Sequence, residues 1–470
     1  MRSSNFFRNI LIFLLGSGFS KMISFLLLPL YTVVLPPEDM GYFDLSITYV
    51  AIACEVLFLD IWVVVMRFMY REDVTHEKSL SAGITLFGFS TILLLAVSLI
   101  FYVAVGPKYF WLVIAYGWTQ NMANLFAYVA RGKGHNVDFA LSGLVCSAVL
   151  AISNLILLLG FSFDFSALYI SAALGFTVQC LFLEWRVGIL RELSVASFKA
   201  VQKKFLYSML KFGIPIGLNA VTYWFINSFN RVAIERELSL SENGIFAIGV
   251  KFASLVVFVT SAANFAWQDV AFRQTSEDKS TFRRYSTGYF VVVMLGMAVL
   301  LPVVNLLFPL FVGEQYSAAK GIAPFALIAA GLSGYSNFLV NIFYALDKSK
   351  QTFWAIAIAC VTNLSLVFPA LRTFGLQGAN ISAICGWVAA IAFMHLYLGA
   401  KFQIYPHVAM CSVAAVAPIA SCFVYFHGAP VWNICLGAVL FFLLVGILLN
   451  QLGVLRRFPG VEKLLKFRRR

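Results

Sequence analysis

Apolar runs of about 20 residues recur along almost the whole chain, broken only by short stretches of charge, proline or glycine, and this recurrence leaves few folds open. A run of that length crosses the ~30 Å hydrocarbon core of a bilayer as a helix, because lipid offers no partner for unpaired backbone N–H and C=O groups. The runs lie at approximately 9–34, 41–66, 80–104, 109–130, 138–160, 165–185, 212–231, 244–268, 285–308, 321–345, 352–371, 376–398, 406–426 and 431–450. With 61% hydrophobic and 12% charged residues over 470 positions, the chain has too few charges to cover a soluble globule, since soluble domains carry roughly 25%. The expected fold is all-α, a polytopic membrane protein of about 14 transmembrane helices. The first run outlasts a signal-peptide core and shows no small-residue cleavage site, so it reads as an uncleaved first span.

Basic residues set the orientation. With the N-terminus in the cytoplasm, 27 of the 34 Lys and Arg fall on the cytoplasmic side. Five (Lys108, Arg231, Arg236, Lys320 and Arg372) fall on the other, and Lys21 and Lys251 lie inside spans. That bias follows the positive-inside rule and places both termini in the cytoplasm. The net charge of +13 is thus spread over many loops, and the terminal Arg468, Arg469 and Arg470 suit anionic lipid headgroups better than nucleic acid.

Enzymatic motifs are missing. The eight cysteines (Cys54, Cys146, Cys180, Cys360, Cys385, Cys411, Cys422 and Cys435) all fall in spans without CxxC spacing, and they read as small packing residues. There is no GxxxxGK[ST] loop and no HExxH, and the glycines of "ARGKGH" form no phosphate cradle. Five scattered histidines suggest no metal site, and the sequons at Asn363 and Asn380 sit within spans. The expectation is a protein that is not an enzyme and holds no cofactor.

The chain also repeats. "LPPEDMGYF" (Leu35 to Phe43) follows the first span and "LSLSENGIF" (Leu238 to Phe246) follows the seventh, which aligns Gly41 with Gly244. "ISAALG" (Ile170 to Gly175) and "ISAICG" (Ile381 to Gly386) recur later in the same order. Two six-span halves in parallel orientation are expected, at 1–185 and 212–398, a plan known among transporters. Residues 186–211 form a linker in which Leu190, Leu193, Ser197, Val201 and Phe205 follow helical spacing among Arg191, Lys199, Lys203 and Lys204. It is expected as an amphipathic helix on the cytoplasmic surface. Residues 399–470 add two further spans and a basic tail.

Ionisable residues at membrane depth are the candidate functional groups, since each costs ~2.5–3.5 kcal/mol at a span centre. Lys21 follows Arg8 by 13 residues, ~20 Å of helix, and so lies near the midplane. Glu55 reaches a comparable depth on the second span, with Asp60 nearer its cytoplasmic end. Lys251 is ~10 Å inside the eighth span. Plainer readings stand beside the functional ones: a structural Lys21–Glu55 ion pair, a snorkelling Lys251, and an interfacial anchor in Arg231. Gly213, Pro215 and Gly217 of "FGIPIG" mark a bend or an ordinary kink in the seventh span.

Three segments, "FSKMISFLLLPLYTVVLPPEDMGYF" (Phe19 to Phe43), "KFGIPIGLNAVTYWFINSFNRVAI" (Lys211 to Ile234) and "FGLQGANISAICG" (Phe374 to Gly386), together resemble the Wzx-type polysaccharide repeat-unit flippases. These belong to the multidrug/oligosaccharidyl-lipid/polysaccharide (MOP) exporter superfamily. The resemblance implies a two-lobed, MATE-like transporter whose central cavity opens to each side in turn. It implies a polyprenyl-pyrophosphate-linked oligosaccharide as cargo, with a polysaccharide polymerase and a chain-length regulator as partners. Members often carry Asp-Arg at the end of the seventh span, where this chain has Asn230-Arg231.

Such a cargo can leave its tail in lipid while its head crosses, and two phosphates require cations facing a wet cavity. Lys21, Lys251 and Arg231 are the candidates for that role. Glu55 and Asp60 are candidates for proton or Na⁺ coupling or for charge pairing, and they keep an ion-coupled drug or cation antiporter open as an alternative. A membrane-embedded polymerase or acyltransferase is a weaker third reading, because the outer loops are only about 4 to 12 residues long by these boundaries.

Overall fold

Helices begin and end where the sequence supplies the chemistry to close them. The computed structural model describes residues 25–199, 201–271 and 279–451, and all regular structure among them is helical. Helix α1 (Leu28–Val34) ends the first span, and α2 (Pro37–Phe58) opens on a proline whose missing N–H costs nothing in a first turn. Glu38 and Asp39 there favour the positive end of the α2 dipole. α3 (Ile61–Met69) completes the second span, and α4 (His76–Val105) starts from Thr75, whose side chain accepts from the Lys78 amide at 3.3 Å. α5 (Phe110–Gly132), α6 (Asn136–Leu155, continued by a π turn to Gly160) and α7 (Ser166–Val187) follow. α7 ends at Gly188 with φ +63°, a left-handed closure that glycine adopts without strain.

Beyond α7 come α8 (Val195–Lys199), α9 (Lys203–Asn227), α10 (Phe229–Glu237), α11 (Leu240–Lys251), α12 (Ser254–Ala271) and α13 (Lys279–Phe311). α14 (Ala319–Ala345), α15 (Ser349–Phe374), α16 (Gln377–Phe402), α17 (Val408–His427) and α18 (Pro430–Gln451) complete the described chain. Eleven helices among the described residues are long and apolar enough to cross a membrane, α11 and the start of α12 counting as one. The chain is a multi-pass membrane protein.

Two compact units emerge, one of Met1–Ile248 with Ala359–Ala383 and the other of Gly249–Ile358 with Ile384–Arg470. In the first, α5 packs on α2, α3 and α7, α6 pairs with α7, and α9 and α10 lie against α2. In the second, α13 packs on α14, α17 and α18, and α12 on α14. Small residues allow these close approaches, as where Gly117 meets Val50 and Cys54, and Gly175 meets Cys146. Cys54, Cys146, Cys180 and Cys360 are buried, whereas Cys385, Cys411 and Cys422 are partly exposed and Cys435 is exposed, so packing describes only half of the set. Ser421 donates to the Ala298 carbonyl at 3.0 Å and Tyr425 to that of Lys320 at 2.8 Å, which ties the added helix α17 into its unit.

Three features depart from the sequence-based expectation. The linker is not one amphipathic helix over 186–211: it holds a 3-10 turn (Leu190–Glu192) and the short α8, and α9 begins at Lys203. Ser194 and Ser197 explain the early helix start, because each amide donates to the other's hydroxyl, at 2.8 and 3.1 Å. The second span breaks at Leu59 and Asp60, both left-handed at φ 48° and 52°. The eighth breaks after Lys251, with α12 starting at Ser254.

Candidate transport site

Several polar and close-packed contacts converge on α2, all of them within the first unit. Gly41 and Gly244 hold corresponding places in the two echoed segments, and the fold sets them against each other. A methyl group on Gly41 would overlap the Leu240 carbonyl, and one on Gly244 would overlap the Pro37 carbonyl. Leu240 occupies in its segment the place that Pro37 holds in the other. The contact is therefore reciprocal, with the same two positions offered from each side, which is the geometry of a two-fold axis passing between the segments. Asn243 reinforces it by donating from Nδ2 to the Gly41 carbonyl at 3.0 Å.

One turn further along α2 stands Asp44. Its Oδ2 accepts from Arg231 Nε at 2.6 Å, and Arg231 Nη1 donates to the Asn227 carbonyl at 3.0 Å. The side chains are 15% and 19% exposed, so the pair is mostly withdrawn from water. Trp224 adds a third tie, donating from Nε1 to the Thr48 carbonyl at 3.0 Å. Of the sequence candidates, Arg231 thus has a carboxylate counter-ion that sequence reasoning did not name. The available signal was an acid inside an apolar run at the same end as Arg231.

Asn230, next to it, is buried and joins three spans by neutral hydrogen bonds. Its Nδ2 donates to the Ala379 carbonyl at 2.7 Å, and Asn363 Nδ2 donates to its Oδ1 at 2.9 Å. A carboxylate at position 230 has no proton for Ala379 once ionised, so the amide suits this network. Asn363 and Asn380 are themselves buried, which removes both sequons as modification sites.

The remaining candidates are dispersed. Glu55 lies on α2 with Oε2 buried and, among the described residues, without a hydrogen-bond partner. Asp60 is the left-handed residue before α3, and its side chain makes no cap. The break beside it leaves the Leu57 carbonyl to be satisfied by Ser90 Oγ at 2.8 Å. Gly213 and Gly217 sit opposite that break: methyl groups on them would meet Val64 Cγ2 at 3.1 Å and Leu59 Cδ2 at 2.5 Å. α9 itself runs unbroken through Pro215. Gly213 and Gly217 thus make room for the break in the second span. Lys251 ends α11 in the second unit, where its carbonyl accepts from Ser254 Oγ at 2.6 Å. Lys21 lies outside the described residues. Among the described residues no group of three or more His, Cys, Asp or Glu is placed to hold a metal ion.

No family model matches the sequence, and no curated protein matches it. Solved structures do. The lipid II flippase MurJ, in an inward closed conformation, aligns with a TM-score of 0.64 at 15% identity, covering 94% of this chain and 99% of that one. An inward-facing multidrug resistance MATE transporter of the MOP superfamily aligns with a TM-score of 0.63 at 15% identity, covering 82% and 94%. A point mutant of the Vibrio cholerae MATE transporter VcmN gives 0.58 at 16% identity, covering 84% and 96%. The chain therefore has the helical fold shared by these MATE transporters and MurJ.

Proposed function

We propose that this chain is a flippase that moves polyprenyl-pyrophosphate-linked oligosaccharide units from the cytoplasmic to the periplasmic leaflet of a bacterial inner membrane, by alternating access, for surface polysaccharide synthesis. The observation that carries the reading is the reciprocal Gly41–Gly244 contact beside the Asp44–Arg231 pair. Repeated halves that meet across an axis can part at one face while closing at the other, and a cation at that seam suits an anionic head. On this reading the halves are 1–185 and 212–398, both termini are cytoplasmic, and Lys21, Lys251 and Arg231 serve the phosphates. Coverage also favours a flippase. The alignment with MurJ leaves too few residues unmatched to omit both α17 and α18, whereas those with the MATE transporters leave more. A polymerase and a chain-length regulator would then take over the delivered unit, and far-side polymerisation can itself draw transport forward.

Deleting the gene should abolish surface polysaccharide and accumulate lipid-linked oligosaccharide facing the cytoplasm. In proteoliposomes, sugar should reach the far leaflet only when the chain is present. Equal exposure with and without protein would end the reading.

A second reading, cation-coupled export of small molecules on the same fold, is favoured by Glu55, whose buried Oε2 has no hydrogen-bond partner among the described residues. If Glu55 or Asp60 carries a proton or Na⁺, Glu55→Gln or Asp60→Asn should reduce gradient-dependent transport at normal membrane abundance. Wild-type transport by both variants would remove ion coupling at this pair.

A further inference from the structure

The charged pairs of the first unit are built in two ways. Arg372 grips Glu237 with two hydrogen bonds, at 2.9 and 2.8 Å, and Arg71 grips Asp73 likewise, at 2.9 and 2.7 Å. These are the parallel forks by which guanidinium and carboxylate lock. Arg231 does not grip Asp44 in that way. One hydrogen bond joins them, from Nε to Oδ2, while Nη1 is turned to a backbone carbonyl. Arg231 Nη2 and Asp44 Oδ1 have no partner among the described residues.

We infer that Asp44 is a built-in competitor for the anionic ligand: Arg231 rests on the Asp44 carboxylate through one bond and passes to a phosphate group that offers two. The inference rests on the flippase reading for the identity of the cargo, but the exchange itself concerns phosphate chemistry. Guanidinium binds carboxylate and phosphate with the same planar fork, so the two ligands are alternatives at one residue. A phosphate can take both the donor now on Asp44 and the unused Nη2, which gives it an advantage that a neutral molecule or a monodentate anion lacks. Asp44 thereby sets a threshold of charge that a cargo must meet, and it acts as a specificity-determining residue.

The surroundings allow the exchange. The exchange needs no shift of α2, which Asn243 and Trp224 hold through the Gly41 and Thr48 carbonyls; a turn of the Arg231 side chain is enough. Partial exposure of both charged groups lets a ligand reach them.

The test uses the purified full chain in phosphatidylcholine nanodiscs, with inorganic pyrophosphate as probe and binding read by calorimetry. A ligand that must displace an occupant binds more weakly by the fraction of time the site is free. Asp44→Asn should therefore tighten pyrophosphate binding roughly tenfold if Arg231 is free about a tenth of the time. Arg231→Gln should abolish binding and Arg231→Lys should weaken it, and adding Asp44→Asn to Arg231→Gln should rescue nothing. Asp44→Ser serves where Asp44→Asn does not fold. Unchanged or weaker affinity in the Asp44 variant, binding that survives Arg231→Gln, or no binding by any variant would overturn the exchange. So would failure of both Asp44 variants to fold, since that would make the pair structural. In a parallel arm with phosphatidylglycerol nanodiscs, loss of the Asp44→Asn gain would assign Arg231 to bilayer headgroups and overturn its role toward cargo. Flipping of lipid-linked oligosaccharide by the wild-type chain separates the two claims. Ordered pyrophosphate affinities without flipping would retain the exchange and end the flippase reading, and flipping with indifferent affinities would do the reverse.

Discussion

A polar side chain in lipid must find its partner inside the protein, and at the scale of single residues this decides how each one reads. Asn363 looked like a chance sequon and proves to be a buried donor to Asn230. Arg231 was legible as a cation at a span end, but its Asp44 partner was not, because the pairing joins residues 187 apart in sequence. Lys21 and Lys251 remain proposed cargo cations from opposite halves. Lys21→Ala and Lys251→Ala should each lower flipping by about tenfold or more, while Lys→Arg should keep part of it, since guanidinium also binds phosphate. Full activity of both alanine variants at normal abundance would exclude them. Rescue of Lys21→Ala by Glu55→Ala would make Lys21 a structural counter-ion instead. A different balance holds in the loop before α7. Burial pushes the Asp164 carboxyl up, but hydrogen bonds from Tyr109 and the Ser166 amide, with Lys108 nearby, outweigh it and hold the group below its usual range. A depressed carboxyl stabilises the fold above its unfolded value, and the contribution is lost as pH falls through the folded one. Asp164→Asn should cost about 1 kcal/mol or less at neutral pH, discounted for its 39% exposure, with the difference closing in acid. Thermal unfolding of both proteins across pH checks this.

Among the elements, apolar length was legible and irregularity was not. Most spans follow from the runs because lipid penalises any other backbone arrangement. The break at Leu59–Asp60 had no glycine or proline to announce it, and each left-handed residue there costs on the order of 1–3 kcal/mol. Packing of Leu59 against Gly217 and the Ser90 hydrogen bond to Leu57 hold it in place. Gly213 and Gly217 of "FGIPIG" lie against that break, so glycines on one helix make room for the irregular backbone of its neighbour. Position 41 offers a sharper test. Gly41→Ala or Gly244→Ala should force the reciprocal contact apart, reducing flipping severalfold while the protein still inserts. Cysteine accessibility at Asn243 should rise in both variants. Unchanged accessibility and transport would show that the close approach is dispensable.

For the whole molecule, basic-residue bias gives a prediction independent of cargo. Reporter fusions at Ser194 and at the C-terminus should both report cytoplasm. A periplasmic signal from either would invert the topology or change the span count. The fold class was legible from the sequence because hydropathy acts over hundreds of residues and averages out local error. The proposed repeat shows in the sequence only as short echoes, and the contact between Gly41 and Gly244 sets two of those segments against each other. That meeting resembles the isologous interface of a symmetric dimer, drawn into one polypeptide. In two identical subunits a change at such a position strikes both faces of the contact at once, so it is either tolerated twice or rejected twice. Within one chain the two copies mutate separately, yet each glycine abuts the other's backbone, and neither can gain a side chain without displacing the other. On the two-half reading proposed above, each half is free to specialise where its contacts need not match, but not at the point where the two touch as twins.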